Sequence, residues 1–146
     1  MLFRMAIVSR GSLEPWYVTG LADASGSFTF NRTARGSNMT LVFSIKVGAR
    51  DRALLEELQS FFGVGKVYDV RTAGASLFKV TRSDALLAIV DHFEAFPLKS
   101  SSGAAFEIWR EMVRLKAESF RRPPMEKLDE LAESLASARK LAKSAD

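Results

Sequence analysis

Asp23 and Ser25 are a carboxylate and a hydroxyl on the short stretch that organises this chain. They sit two apart in Val18-Thr19-Gly20-Leu21-Ala22-Asp23-Ala24-Ser25-Gly26-Ser27-Phe28. Holding a divalent cation takes ionised carboxylates. Ser25 offers only a neutral hydroxyl for that work. Asp23 is the one carboxylate of the stretch, but two helical steps turn its side chain by roughly 200°, away from where Ser25 points. It reads as a structural hydrogen-bonding group instead. Elsewhere the choice is small. Cysteine is absent and His92 is the single histidine, so no zinc site can be assembled, and His92, beside Asp91, reads as a surface or packing residue. Gly63-Val64-Gly65-Lys66 lacks the first glycine of a phosphate loop and reads as a helix cap leading into a strand.

The element that positions Ser25 is a helix end. Ser12 is a candidate N-cap, Pro15 falls in the first turn, and the helix runs through Trp16, Tyr17 and Val18 to Ala24, with Gly26 as the stop. Gly20 and Ala24, one turn apart, allow another backbone to come close. That stripe suits either packing against the last helices of the same chain or a seam with a second copy.

From Ser27 the period changes to two, through a turn at Gly36-Ser37-Asn38 and a returning strand from Met39 to Val47. A helix from about Asp51 to Phe62 follows, closed by Gly63. A second hairpin, Lys66 to Arg71 and Ser76 to Thr81, turns at Thr72-Ala73-Gly74-Ala75. Ser83 and Asp84 start a third helix that ends before Pro97, a fourth covers about Gly103 to Phe120, and after Arg121-Arg122-Pro123-Pro124 a fifth runs from Met125 to Lys143. The class is α+β, with four antiparallel strands and helices on one face of the sheet. No internal repeat of the Val18–Phe28 stretch is present.

At 146 residues and 47% hydrophobic, the chain can bury one core. Residues 1–11 read as an N-terminal extension and 12–146 as a single domain. No run approaches the roughly 20 apolar residues of a membrane helix. Met1 to Arg10 is short and lacks a small-residue cleavage site, so an intracellular protein is expected, in cytoplasm, nucleoid or an organelle matrix, without a membrane partner. A net charge of +4 and a pI of about 9.6 fit a polyanion partner without demanding one.

The helices require the sheet face bearing Phe28, Phe30, Leu41, Phe43, Ile45, Val67, Phe78 and Val80. The opposite face holds Ser27, Thr29, Asn31, Thr33, Thr40, Ser44, Lys46, Lys66, Tyr68, Lys79 and Thr81, with Val42, Val70 and Leu77 among them. A solvated sheet explains such a face, and so does a surface that reads nucleic acid, for it carries donors and acceptors but no Glu. The basic residues Arg121, Arg122, Lys127, Arg139, Lys140 and Lys143 read as a solvated helix face, or as phosphate contacts at the flank of a duplex.

The helix-to-strand stretch resembles the LAGLIDADG motif of the homing endonucleases. The resemblance runs from Glu14 to Lys140, through Pro15-Trp16-Tyr17, Phe43-Ser44-Ile45-Lys46, Phe61-Phe62-Gly63-Val64-Gly65 and Phe96-Pro97-Leu98. It implies an αββαββα fold with a four-stranded saddle that reads double-stranded DNA through the polar face, here with Arg35 added. One motif per chain implies a homodimer on a near-palindromic site, with Thr19, Gly20, Asp23 and Ala24 at the seam.

The family's metal-binding acidic position falls on Ser25 in this sequence, and its two supporting positions fall on Val47 and Ser101. Lys99 is close to the last of these but offset. The resemblance thus implies a DNA-binding scaffold with cleavage lost or weakened. No cofactor is expected, and Mg²⁺ only if cleavage is retained. The alternatives are an active metal-dependent DNA endonuclease, or an RNA-binding intron splicing cofactor that uses the basic helices.

Overall fold

The computed structural model describes residues 13–33, 38–119 and 122–143. The expected extension 1–11, the Ser12 cap, Arg35, Arg121, and Gly36 and Ser37 of the first turn lie outside the described residues. Helix α1 spans Pro15–Ser25 and leads into strands β1 (Gly26–Arg32) and β2 (Met39–Gly48). Helix α2 (Arg52–Phe62), strands β3 (Lys66–Val70) and β4 (Ala75–Val80), and helices α3 (Ser83–Ala95), α4 (Ser102–Glu118) and α5 (Met125–Lys143) complete the order. This is the expected αββαββα arrangement, with two further helices.

Helix α1 begins on Glu14, whose carboxylate accepts from the Trp16 N–H at 2.8 Å, with Pro15 preset for the first helical position. At its other end the chain turns into β1 at Gly26. A Cβ there would lie 2.7 Å from the Ala22 carbonyl oxygen, so only glycine permits a corner this tight. Gly63 closes α2 in the left-handed region, at φ 72°, and returns its N–H to Gln59. The second turn is tighter than the alternation suggests. Strand β3 stops at Val70, because Arg71–Ala73 wind into a single 3₁₀ turn ahead of Gly74.

The strands are antiparallel throughout, in the order β1-β2-β4-β3. The core lies on the expected face. Phe28 stands at its centre, with ring centroids 5.1 to 5.6 Å from Trp109, Phe43, Phe106 and Phe93, contributed by three other elements. Burying a side chain of this size stabilises the fold by about 1.5–3 kcal/mol, and aromatic pairing adds to that.

Helix α5 packs on α4 and runs antiparallel along the edge strand β1. Near its start Asp129 pairs with Arg32 at 2.7 Å, and near its end Arg139 reaches Thr29 and Ser27. Trp109 Nε1 donates to the Thr29 carbonyl at 3.1 Å. Edge strands left bare invite pairing with other chains, and here a helix covers β1.

His92 is buried rather than on the surface. Thr19 Oγ1 donates to the Phe96 carbonyl at 2.8 Å and lies 3.0 Å from His92 Nε2. The hydroxyl proton is thereby committed, so Nε2 carries the imidazole proton and donates to Thr19. Phe61, Phe62, Phe93 and Phe96 surround the ring, and burial lowers its pKa to about 4, which keeps it neutral.

Candidate nucleic-acid interface

The register aligns Ser27, Ser44, Lys79 and Lys66 in one row across all four strands on the face away from the core. The next row holds Lys46, Leu77 and Tyr68. No strand residue of this face is Asp or Glu. Asp69 belongs to the other face, where Arg52 and Ser76 hold its carboxylate at 3.3 Å each. Lys66 and Lys79 stand directly opposite one another, and like charges so placed destabilise a sheet unless an anion lies between them. A groove of about 490 Å³ opens beside them, its lining including Lys66, Tyr68, Lys79 and Thr81, with Arg82 paired to Asp84 at 2.7 Å.

Among the other residues expected on this face, Asn31, Thr33, Lys46 and Thr81 are exposed, and Thr40 and Ser44 are half-buried. Val42 is fully buried. The Thr33 hydroxyl accepts from the Asn38 N–H at 3.3 Å and helps to close the first hairpin. The hydroxyls of Ser27 and Thr29 accept from the Arg139 guanidinium at 3.2 and 2.9 Å.

Ser25 is the last residue of α1 and is exposed. Below it lies a cavity of about 340 Å³, whose lining includes Asp23, Ser27, Ser100, Ser101, Ser102 and Arg139. Asp23 turns into the loop that precedes α4. One carboxylate oxygen accepts from the Ser100 N–H at 3.0 Å and the Ser100 hydroxyl at 2.6 Å, and the other from the Lys99 N–H at 2.9 Å. Partial burial alone would raise this carboxyl's pKa. The hydrogen bonds from Ser100 and Lys99, with the Lys99 charge, outweigh it and hold the group below the usual carboxylate value.

A divalent cation does not fit this donor set. Ser25 and the three loop serines are neutral, the single carboxylate, Asp23, already accepts three hydrogen bonds, and a guanidinium shares the lining. Among the described residues no three acidic, histidine or cysteine side chains gather closely enough to hold a metal.

Val47 and Ser101, expected as supporting positions, carry no acidic side chain. Val47 packs against the core, and Ser101 precedes α4 without capping it through its side chain. Lys99 Nζ lies 5.2 Å above the ring of Trp16, towards the start of α1 and away from its foot.

The face of α1 expected at a seam divides. Gly20 and Ala24 are exposed, and a Cβ on Gly20 would meet nothing within 4 Å. Trp16 and Tyr17, on the same side, are 45% and 50% exposed. Thr19 is corrected: it is 1% exposed, and its hydroxyl serves His92 and Phe96 inside the chain. Asp23 is engaged by its own chain's loop. Sequence reading missed the place of Arg139. Its basic neighbours suggested a solvated face or the flank of a duplex, and nothing local shows that α5 would bring it beside Ser27.

The profile of the LAGLIDADG endonuclease family matches residues 18–113. "Probable intron-encoded endonuclease 2" of Neurospora crassa is 31% identical over 132 residues, which cover 86% of this chain and 29% of that protein. "Probable intron-encoded DNA endonuclease 1" of Mycosarcoma maydis is 39% identical over 56 residues, 38% of this chain and 21% of its own. Among solved structures, the LAGLIDADG meganuclease I-AabMI bound to uncleaved DNA superposes with a TM-score of 0.77 at 28% identity, over 84% of this chain and 45% of its own. The homing endonuclease I-TnaI shares the fold, with a TM-score of 0.73 at 23% identity, over 90% of this chain and 99% of its own. The chain thus spans less than a third of these curated relatives and less than half of the DNA-bound meganuclease. With the motif helix, the four-stranded antiparallel sheet and the matched profile all in one place, this chain belongs to the LAGLIDADG endonuclease family.

Proposed function

We propose that this chain is a sequence-specific double-stranded DNA-binding protein of the homing-endonuclease type. Two copies pair through the exposed side of α1 around Gly20 and Ala24 to place two saddles on a near-palindromic site. The observation that carries the reading is the acid-free face on which Lys66 and Lys79 oppose each other. Such an arrangement costs stability in the free protein and is offset when phosphates lie over it. The DNA bound to the similar meganuclease I-AabMI supports the same reading.

The foot of α1 supports binding without efficient cleavage. In-line attack on a phosphodiester needs a water activated near the phosphorus and stabilisation of the charge that builds on the oxygens. Ser25, Val47 and Ser101 supply neither, and Asp23 is held by Ser100 and Lys99. What this chain's own residues do there is bind and orient the backbone. Incubation of the protein with duplexes selected from a random pool, in Mg²⁺ or Mn²⁺, tests this. Retarded but intact duplex is expected, and metal-dependent double-strand cleavage at a defined site would overturn the cleavage-impaired reading.

A further inference from the structure

We propose that Arg139 is a phosphate-positioning residue, its guanidinium fixed on the hydroxyls of Ser27 and Thr29 so that it takes one backbone phosphodiester of the duplex beside the foot of α1. The inference rests on the DNA-binding reading above and adds to it a contact from the last helix, at the end of the sheet opposite Lys66.

Charge is the first argument. Arg32, Arg52, Arg82, Arg110 and Arg114 each have a carboxylate partner. Arg50, Arg71, Arg122 and Arg139 have none among the described residues, but the first three are exposed, whereas half-buried Arg139 is held by the neutral oxygens of Thr29 at 2.9 Å and Ser27 at 3.2 Å. A cation held by two hydroxyls, with no carboxylate partner among the described residues, is ready for an anion from outside. The guanidinium has five N–H donors in a planar fork that matches phosphate geometry, and two bonds leave the others available. Because Ser27 and Thr29 accept from Arg139, their own O–H protons also stay free to donate.

Position is the second argument. Arg139 lines the cavity of about 340 Å³ with Ser100, Ser101 and Ser102, and the one carboxylate there, Asp23, already accepts three hydrogen bonds from the loop. Ser27 is also the first member of the row that continues through Ser44 to Lys79 and Lys66. Arg139 therefore puts a positive charge at the near end of a line whose far end is already basic, and gives the row the same character from the motif helix to the opposite edge.

The test uses the full chain and duplexes it selects from a random pool, with backbone phosphates near the centre replaced one at a time by neutral methylphosphonates. Wild type is expected to lose affinity sharply at one central phosphate. In Arg139→Gln the same replacement is expected to cost nothing further, and the salt slope of binding to fall by about one. Thermal unfolding of each variant reports whether α5 stays docked. If Gln releases it, Arg139→Lys, which keeps the charge but not the fork, carries the comparison and is expected to retain only part of the sensitivity. Equal sensitivity at every phosphate and an unchanged salt slope in both variants would reduce Arg139 to a pin for α5 and overturn the inference alone. A wild-type protein that binds no duplex would overturn the DNA-binding reading itself, and this inference with it.

Discussion

Asp23 and Ser100, 77 residues apart, are joined twice: one carboxylate oxygen takes both the backbone N–H and the hydroxyl of the serine. The acidic residue of the motif helix thereby fixes the loop that leads into α4. Replacing it leaves the Lys99 and Ser100 N–H groups without their acceptor. Asp23→Ala is expected to lower stability by about 0.5–1.5 kcal/mol, read by chemical denaturation. A loss within a few tenths would show that the loop holds itself.

Acid should weaken the fold in two stages. His92 titrates at about 4 in the folded chain because burial penalises its charged form, against 6.5 when free. The unfolded chain therefore binds more protons between these values, so stability falls as pH drops through 6.5 and levels off near 4, by up to about 3 kcal/mol. Asp23 acts lower. Its folded pKa lies below the 3.8 of a free aspartate, so its contribution is present above that value and is lost as pH falls through the lowered one. Denaturation at a series of pH values checks both, and His92→Gln should flatten the upper stage while the lower one remains.

Lys66 and Lys79 predict opposite effects on folding and binding. Lys79→Gln removes a cross-strand repulsion, so the free protein should melt no lower, and is expected to gain a few tenths of a kcal/mol. Duplex affinity should fall together with the salt slope, by about 0.9 per lost phosphate contact. A variant that is less stable yet binds unchanged would mean that the row is a solvated surface.

Gly20 reports on the seam. Its missing Cβ would meet nothing within 4 Å in the chain itself, so Gly20→Leu should leave the folded subunit intact. Sedimentation is expected to show a dimer for the wild type and a monomer for this variant. A Leu variant that still sediments as a dimer would place the seam elsewhere.

Much of this was legible in the sequence because the signals are local. Period-two alternation from Ser27 and from Met39 set both sheet faces, and Gly26 and Gly63 marked the element ends. What escaped was long-range. Thr19 lies on the same helix as Gly20, and only the packing of α3 shows that it turns inward to His92. The N-cap fell to Glu14 because its longer side chain reaches the Trp16 N–H, a contact that cap preferences alone do not reveal. Arg139 is 110 residues from Thr29, and no short-range pattern brings them together.

The most direct test of the central claim is a titration of a random duplex pool with this protein across a range of salt concentrations, followed by sequencing of the bound fraction. The account predicts enrichment of a near-palindromic sequence, with an affinity whose logarithm falls linearly and steeply with the logarithm of salt concentration. Binding that ignores salt and enriches nothing would contradict it.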